Sequence, residues 1–378
     1  MRLFDRVLIR VKTPKKPHQK CLCHVMRLML LLPGRVTCRH VSRDSPYHEN
    51  TFARGLARDV DCVSLNRAAM VEVVPPSHEP VLAVDPSCVP NSGTHTSGLD
   101  RCWNGAHSRA EKGWEMATRA WIAVTHRRAS TLSVEQTSRA PSGRAEETRI
   151  DAYLAHMARV VTTPPVQALK YLAVDGYCSQ KTCVDGLGAL DVQVIGKLRR
   201  DAKLRPLDSG PRGDGPGRPN TSDGNVDVSD LSRLEPVDAG DADLALYAPG
   251  VTQPPCKRHL HVVVVRHLPT GRSARLFSTA VARSAKTLDR YDQARFQIEW
   301  LFRAANQFTG LSDGQARSAG KRRFQCKARL SAMSFAKLEA RQRSARPQAP
   351  VSLARLKRRY FNHHLVDRIV DHVAAEGR

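Results

Sequence analysis

The sequence predicts an α/β protein: a mixed five-stranded sheet with flanking helices, interrupted by a β-rich insertion and preceded by a small helical domain. Three observations predict it. Two short apolar runs, Pro80–Val84 and Tyr171–Val174, each lead into an aspartate, Asp85 and Asp175, and alternate with segments of helical period. Strand-like stretches then fill much of 206–280. Last, a segment free of Pro and Gly from Tyr291 to Thr309 closes on Gly310, as a helix with a glycine C-cap does.

Taken in order, residues 1–23 carry Lys12, Lys15, Lys16 and Lys20 without a pattern and are expected to be a disordered basic tail. In 24–74, Val25, Met26, Leu28, Met29 and Leu32 form a helical stripe stopped by Pro33-Gly34, and a second helix covers about Thr37 to Arg43. A third starts at Ser45-Pro46, read as N-cap and first-turn proline, and runs to about Ala57 with Arg54 and Arg58 outward. Short helices with a tight turn and outward arginines suit a DNA-binding helix-turn-helix, and equally an ordinary helical bundle. Pro75-Pro76 marks the next boundary.

The first part of the core, 75–205, reads as strands Pro80–Val84, Trp114–Val124 and Thr131–Gln136, a polar loop Arg139–Arg149, and a helix Ile150–Val161. Strand Tyr171–Val174, a helical turn Lys181–Leu187 and strand Val192–Leu198 follow. The insertion, 206–280, reads as a flexible Gly/Pro loop over 208–225 and then Val226–Leu234, His259–Leu268 and Ala274–Ser278. The second part, 281–341, holds the Tyr291 helix and a basic helix from about Arg323 to Arg341; 342–378 is a basic tail with an amphipathic stretch Tyr360–Val373.

Lys and Arg number 60 against 36 Asp and Glu, a net charge of +24, which favours a polyanionic partner. Aromatics at 5% are too few for a single-strand stacking platform as the main binding mode. The ten cysteines lack a framework spacing, and Cys21-Leu-Cys23-His24 has no second ligand pair at finger spacing, so free thiols in a reducing cytosol are expected. The run Leu28–Leu32 is too short for a signal peptide and no run approaches a membrane span. The expectation is a cytoplasmic protein with no membrane partner.

In a sheet ordered 3-2-1-4-5, strands one and four are parallel neighbours about 4.8 Å apart, so Asp85 and Asp175 converge at their ends. A helix over that edge adds Glu299. On one continuous helix, Tyr291, Arg295, Glu299 and Asn306, spaced four, four and seven apart, share a face. Three carboxylates together repel unless a cation compensates, and Mg²⁺ with oxygen ligands is the natural one. Individually, Asp85-Pro86 and Asp175-Gly176 also read as turn starts, and Arg295–Glu299 as a solvated i,i+4 pair.

Five blocks carry a resemblance. They are Leu82-Ala-Val-Asp85-Pro-Ser, the stretch from Leu99 to Gly113, Tyr171-Leu-Ala-Val-Asp175-Gly-Tyr, Lys197-Leu-Arg-Arg-Asp201-Ala, and Arg295-Phe-Gln-Ile-Glu299-Trp-Leu-Phe-Arg303 through Gly310-Leu311. In this order the chain resembles bacterial insertion-sequence transposases of the DDE class, with an RNase H-like catalytic domain. The resemblance implies that Asp85, Asp175 and Glu299 are the catalytic metal triad, binding two Mg²⁺ ions, with Mn²⁺ as a substitute. It implies that Tyr291, Arg295 and Asn306 fall on a Tyr-Arg-Glu-Lys signature whose basic members hold the DNA backbone, with Arg303, Lys197 and Arg199 beside them. It also implies double-stranded DNA as partner (terminal repeats and target), a nucleoid location, and a homodimer when two ends are synapsed. The chain departs from the pattern at Asn306, where the signature has Lys, and at Tyr291, four residues before Arg295 instead of three. Asn91, Ala304 and Cys178 are further departures. The alternative reading is an impaired remnant that binds DNA without cleaving it.

Overall fold

The computed structural model describes residues 2–11, 16–58, 60–75, 79–105, 107–137, 148–162, 169–199, 202, 204–205, 231, 234–248, 251–252, 259–314, 316–344 and 351–376. The loops expected over 139–147 and 208–225, and most of the strand expected at 226–234, lie outside them. Five helices come first: α1 (Arg2–Arg10), α2 (Lys16–Leu31), α3 (Cys38–Arg43), α4 (Glu49–Gly55) and α5 (Cys62–Val73). Strands β1 (Pro80–Pro90), β2 (Asp100–Asn104), β3 (Arg109–Ala123) and β4 (Arg128–Gln136) follow, then α6 (Arg149–Val161), β5 (Tyr171–Val174), α7 (Lys181–Ala189) and β6 (Gln193–Lys197). Five more strands are β7 (Glu235–Val237), β8 (Leu244–Ala248), β9 (Val251–Thr252), β10 (Leu260–His267) and β11 (Ser273–Ser278). The chain ends with α8 (Ala285–Arg295), α9 (Gln297–Thr309), α10 (Ala319–Gln342) and α11 (Leu353–Glu376).

The described strands form one sheet in the order β2-β3-β1-β5-β6-β11-β10-β8-β7, with β4 also on β3 and β9 on β10. The pairs β1/β5 and β5/β6 are parallel and the others antiparallel. The stretch β4-β3-β1-β5-β6 contains the strands read from sequence, but the sheet is not five-stranded. The strands assigned to an insertion continue it, because Leu276, Phe277 and Ser278 of β11 pair with Lys197, Gly196 and Ile195 of β6. An unpaired β6 edge would leave a row of backbone donors and acceptors exposed.

Strand alternation sends side chains to two apolar layers. Leu82, Val84, Leu172, Val174 and Val194 join one core with α1, α2, α5, α6 and part of α10. Ala83, Ala173, Ile195 and Leu276 join the other with α8 and α9.

The N-terminus is not a disordered tail. Leu3, Phe4, Val7 and Leu8 of α1 are buried in the first core, and Phe4 meets Phe335 of α10 edge to face at 4.9 Å. Nor does 24–74 close a core of its own, since its apolar stripe shares that cluster. The third helix is capped by His48, whose ring accepts from the Asn50 amide, and not by Ser45-Pro46. The C-terminal tail is helical from Leu353 to Glu376.

Phe4→Ala is expected to destabilise the chain by about 3–5 kcal/mol, the range for emptying a buried aromatic site. Urea unfolding measures it; a change under about 1 kcal/mol would return α1 to the status of a tail.

The basic helix is α10, and its cations face inward. Arg329 donates to the carbonyls of Val36 (2.9 Å) and Leu311 (3.3 Å), while Arg323 and Lys327 pair with Glu135 at 3.3 and 3.2 Å. Cys88 and Cys102 form a disulfide, against the expectation of free thiols throughout; the other described cysteines are not in disulfides. Gly113 makes room for it: a Cβ there would lie 2.5 Å from the Val89 carbonyl oxygen and 3.2 Å from Cys102 Sγ. Among the described residues no helix is long and apolar enough to cross a membrane.

Candidate active site

Register, more than strand ends, brings the two aspartates together. Asp85 does not end its strand, because β1 runs on to Pro90. Ala83 pairs with Ala173, and each aspartate lies two residues further on, so Asp85 and Asp175 are level and on the face covered by α8 and α9. Val174 pairs with Gly196, which brings Lys197 level with Asp175, and Asp85 pairs directly with Thr118. Thr118, Asp85, Asp175 and Lys197 thus make one rung across β3, β1, β5 and β6, with neighbouring strands about 4.8 Å apart. Gly196 permits the close β5/β6 approach, since a Cβ there would meet Val174 Cγ2 at 2.5 Å.

Above the rung runs α8–α9. The expected single helix is broken at Phe296, with no Pro or Gly at the junction, and ends at Gly310 in the left-handed conformation (φ 68°). Asp292, Arg295 and Glu299, three and four apart, face the rung. Asp292 Oδ2 lies 3.1 Å from Lys197 Nζ. Arg295 Nη1 lies 3.5 Å from Asp85 Oδ1, and its Nη2 3.8 Å from Glu299 Oε1. Asp175 caps the short 3₁₀ turn Gly176–Ser179, accepting from the Tyr177 amide at 3.1 Å.

Burial pushes the Asp85 carboxyl up to about 7; the Arg295 guanidinium opposes this, and the charges of Asp175, Glu299 and Glu115 reinforce it. Glu115 lies on β3 and accepts from Tyr153 Oη (2.8 Å) and Thr137 Oγ1 (2.6 Å). Three buried polar atoms around the rung have no partner among the described residues: Thr118 Oγ1, Asp292 Oδ1 and Arg295 Nε. Desolvated groups of this kind carry a cost that a bound ligand relieves.

The remaining sequence candidates sit as follows. Tyr291 is buried on the same side of the sheet but away from the rung, against Tyr171 four residues before Asp175, with its hydroxyl donating to Glu79; burial and that carboxylate push its phenol up. Asp292, three residues before Arg295, takes the place on the rung face that the signature spacing assigns to Tyr. Asn306 is exposed and accepts from Ser312 Oγ at 2.7 Å. Arg303 is exposed and stacks on Trp300 at 4.5 Å, and Arg199 is exposed beyond the end of β6. Sequence reasoning passed over Thr118, Asp292 and Glu115. Only Asp292 left a signal, its 3-and-4 spacing with Arg295 and Glu299.

The donor set suits a hard divalent cation: carboxylate oxygens, crowded enough to hold a proton at Asp85 and including an unpartnered oxygen on Asp292. As placed, the Arg295 guanidinium stands between Asp85 and Glu299, and no three His, Cys, Asp or Glu among the described residues gather as a metal site. A family model described as DDE superfamily endonuclease matches residues 15–240, more than half of the chain. The match takes in Asp85 and Asp175 and stops before α8. No curated protein matches the chain.

Proposed function

The chain belongs to the DDE superfamily endonucleases, and we propose on that footing that it is a DNA transposase that cleaves the ends of its element and joins the freed 3′-hydroxyl to target DNA. The observation that carries this reading is the rung: Asp85 and Asp175 level on adjacent parallel strands, with Glu299 reached through Arg295. Asp85, Asp175 and Glu299 would hold Mg²⁺, which supplies Lewis-acid polarisation of the scissile phosphate and a more acidic attacking water or hydroxyl. Arg295 balances the carboxylates in the metal-free chain and, when they are compensated otherwise, has a guanidinium free to take a bidentate grip on a backbone phosphate. Asp292 holds Lys197 beside Asp175, where its ammonium meets a phosphate oxygen as a point charge. The basic surface binds duplex DNA outside the site, and two copies synapse two ends in the cytoplasm, at the nucleoid.

Glu299→Gln is expected to abolish Mg²⁺-dependent cleavage of terminal-repeat DNA and to leave duplex binding near normal, read by gel cleavage and by electrophoretic shift on the same preparation. Cleavage at the unchanged rate would remove Glu299 from the triad.

A second reading, a remnant that binds DNA without cutting it, is favoured by one observation: position 306 presents an amide engaged with Ser312 where a cation is expected. Asn306→Lys separates the two. A sharp gain in cleavage marks an intact scaffold lacking one phosphate contact.

A further inference from the structure

On the sheet face opposite the rung, the first core holds two thiols in contact. Cys178 lies in the 3₁₀ turn Gly176–Ser179 and Cys183 in the first turn of α7; they are 3% and 1% exposed. Their side chains hydrogen-bond each other. Gln180, the N-cap of α7, makes no side-chain bond to that first turn, and a cysteine at a helix N-terminus favours its thiolate. Arg119 of β3 lies beside the pair, 1% exposed. Its Nη2 donates to the Tyr153 carbonyl at 2.8 Å, and the guanidinium faces the Tyr153 ring at 5.9 Å. Arg119 Nε and Nη1 are buried with no hydrogen-bond partner among the described residues. The groups whose charge acts most strongly on it are Cys178, Tyr153, Cys183 and Arg159, with no carboxylate among them. On the thiols, the charge of Arg119 favours the thiolate form and that of Asp175 opposes it.

A buried guanidinium without an acid calls for a compensating negative charge. The Tyr153 hydroxyl is engaged with Glu115, which leaves the two thiols to supply it. A disulfide between them would carry no charge and leave Arg119 uncompensated. Two thiolates around one monovalent cation carry a single net negative charge, which the guanidinium cancels. Thiolates are soft ligands and select Cu(I), for which two suffice. Zn²⁺ takes four ligands, and no three His, Cys, Asp or Glu gather among the described residues. We infer that Cys178 and Cys183 form a two-coordinate site for a soft monovalent metal ion, Cu(I), with Arg119 as its charge balance. Binding forms two sulfur–copper bonds, releases both thiol protons to solvent and leaves every oxidation state unchanged. The inference does not rest on the assignment of the triad, and its test involves no cleavage.

The test is an anaerobic competition titration in which the reduced full chain draws Cu(I) from a coloured Cu(I) chelate, and absorbance counts the ions removed. Other thiols in the chain add a background, so the count is read as a difference. Cys178→Ser and Cys183→Ser should each lose one tightly held Cu(I) per chain. Cys326→Ser, which removes another buried thiol, should lose none. Arg119→Met should weaken the same ion by about 10–100-fold, the range for groups that support a metal ligand, and Arg119→Lys by less. X-ray absorption of the one-to-one complex, which needs no variant, should show copper with two sulfur ligands. Cu(I) should also raise the thermal midpoint of the unaltered chain, as a ligand of the folded state does, while an equal amount of Zn²⁺ should not displace it. An unchanged ion count in both Cys178→Ser and Cys183→Ser, with circular dichroism confirming that each is folded, overturns the proposal. So does an equal loss in Cys326→Ser, or copper with three or more sulfur ligands. Displacement by Zn²⁺ overturns the class of ion, and unchanged affinity in folded Arg119→Met overturns the charge balance.

Discussion

Asp85→Asn is expected to cut divalent-ion-dependent DNA cleavage by more than about 100-fold, beyond the loss typical of a mere supporting residue around a metal, and at the same time to stabilise the metal-free chain above neutral pH. The two effects have one origin. Asp85 is held in a buried rung beside Asp175, with Glu299 and Glu115 adding like charge, and its carboxyl is pushed up to about 7 from an ordinary 3.8. In the folded state the proton is therefore kept where the unfolded chain has released it. Stability from this group is fully present below about pH 4 and is lost as pH rises to about 7; across that window the loss is on the order of 4 kcal/mol. Asparagine has no proton to lose, so its stability curve should be flat over the same window. Urea unfolding in EDTA at pH 5 and pH 8 reads the effect. Equal pH slopes for the two proteins would show that Asp85 is an ordinary solvated carboxylate, and a cleavage loss without that difference in slope would separate its chemistry from its electrostatics.

Arg295→Met carries the second large expected effect. Arg295 is buried, and its two terminal nitrogens face Asp85 at 3.5 Å and Glu299 at 3.8 Å. Glu299 is 44% exposed on its side chain, so solvent screens that pair and it contributes little. The Asp85 pair is the costly one to break, because removing one partner strands a desolvated charge; about 3–5 kcal/mol is the expected loss at pH 8. At pH 5, where Asp85 holds its proton, the loss should shrink. Asp85→Asn should rescue Arg295→Met, since the double variant has no stranded charge, and a double-mutant cycle measures the coupling directly. Coupling below about 0.5 kcal/mol would show that the guanidinium and the carboxylate do not depend on each other. The comparison also bears on mechanism. If Arg295 only neutralised the rung, the double variant would recover stability and differ from Asp85→Asn in nothing else. If it also grips DNA, the double variant should in addition show weaker binding of terminal-repeat DNA than Asp85→Asn alone.

What was legible in the sequence was local. Apolar strands leading into Asp85 and Asp175 follow from short continuous apolar runs, and the C-cap at Gly310 from a conformation that glycine adopts cheaply. The carboxylate and guanidinium of Glu299 and Arg295 could be placed together because four residues is one turn. These are statements about nearest neighbours along the chain, and nearest neighbours are what periodicity reports. The break at Phe296 shows the limit, since nothing in that segment marks it. Tyr291 ended on Glu79, and Asp292 turned to the rung, because in a helix one residue is a rotation of 100°.

Everything that joins distant segments was decided by tertiary structure. A run such as Leu3, Phe4, Val7 and Leu8 within a basic N-terminus gains its helix from packing beside Phe335, since short helices are marginal in water without a buried face. The strands after 234 joined the main sheet because β6 had an open edge. Asp292 met Lys197 through the placement of a helix over four strands. The residue types and their spacing determined which chemistry the chain could carry. Only the register of β3, β1, β5 and β6 decided that Thr118, Asp85, Asp175 and Lys197 stand in one row, because hydrogen-bond pairing between strands is a long-range choice that no single segment encodes.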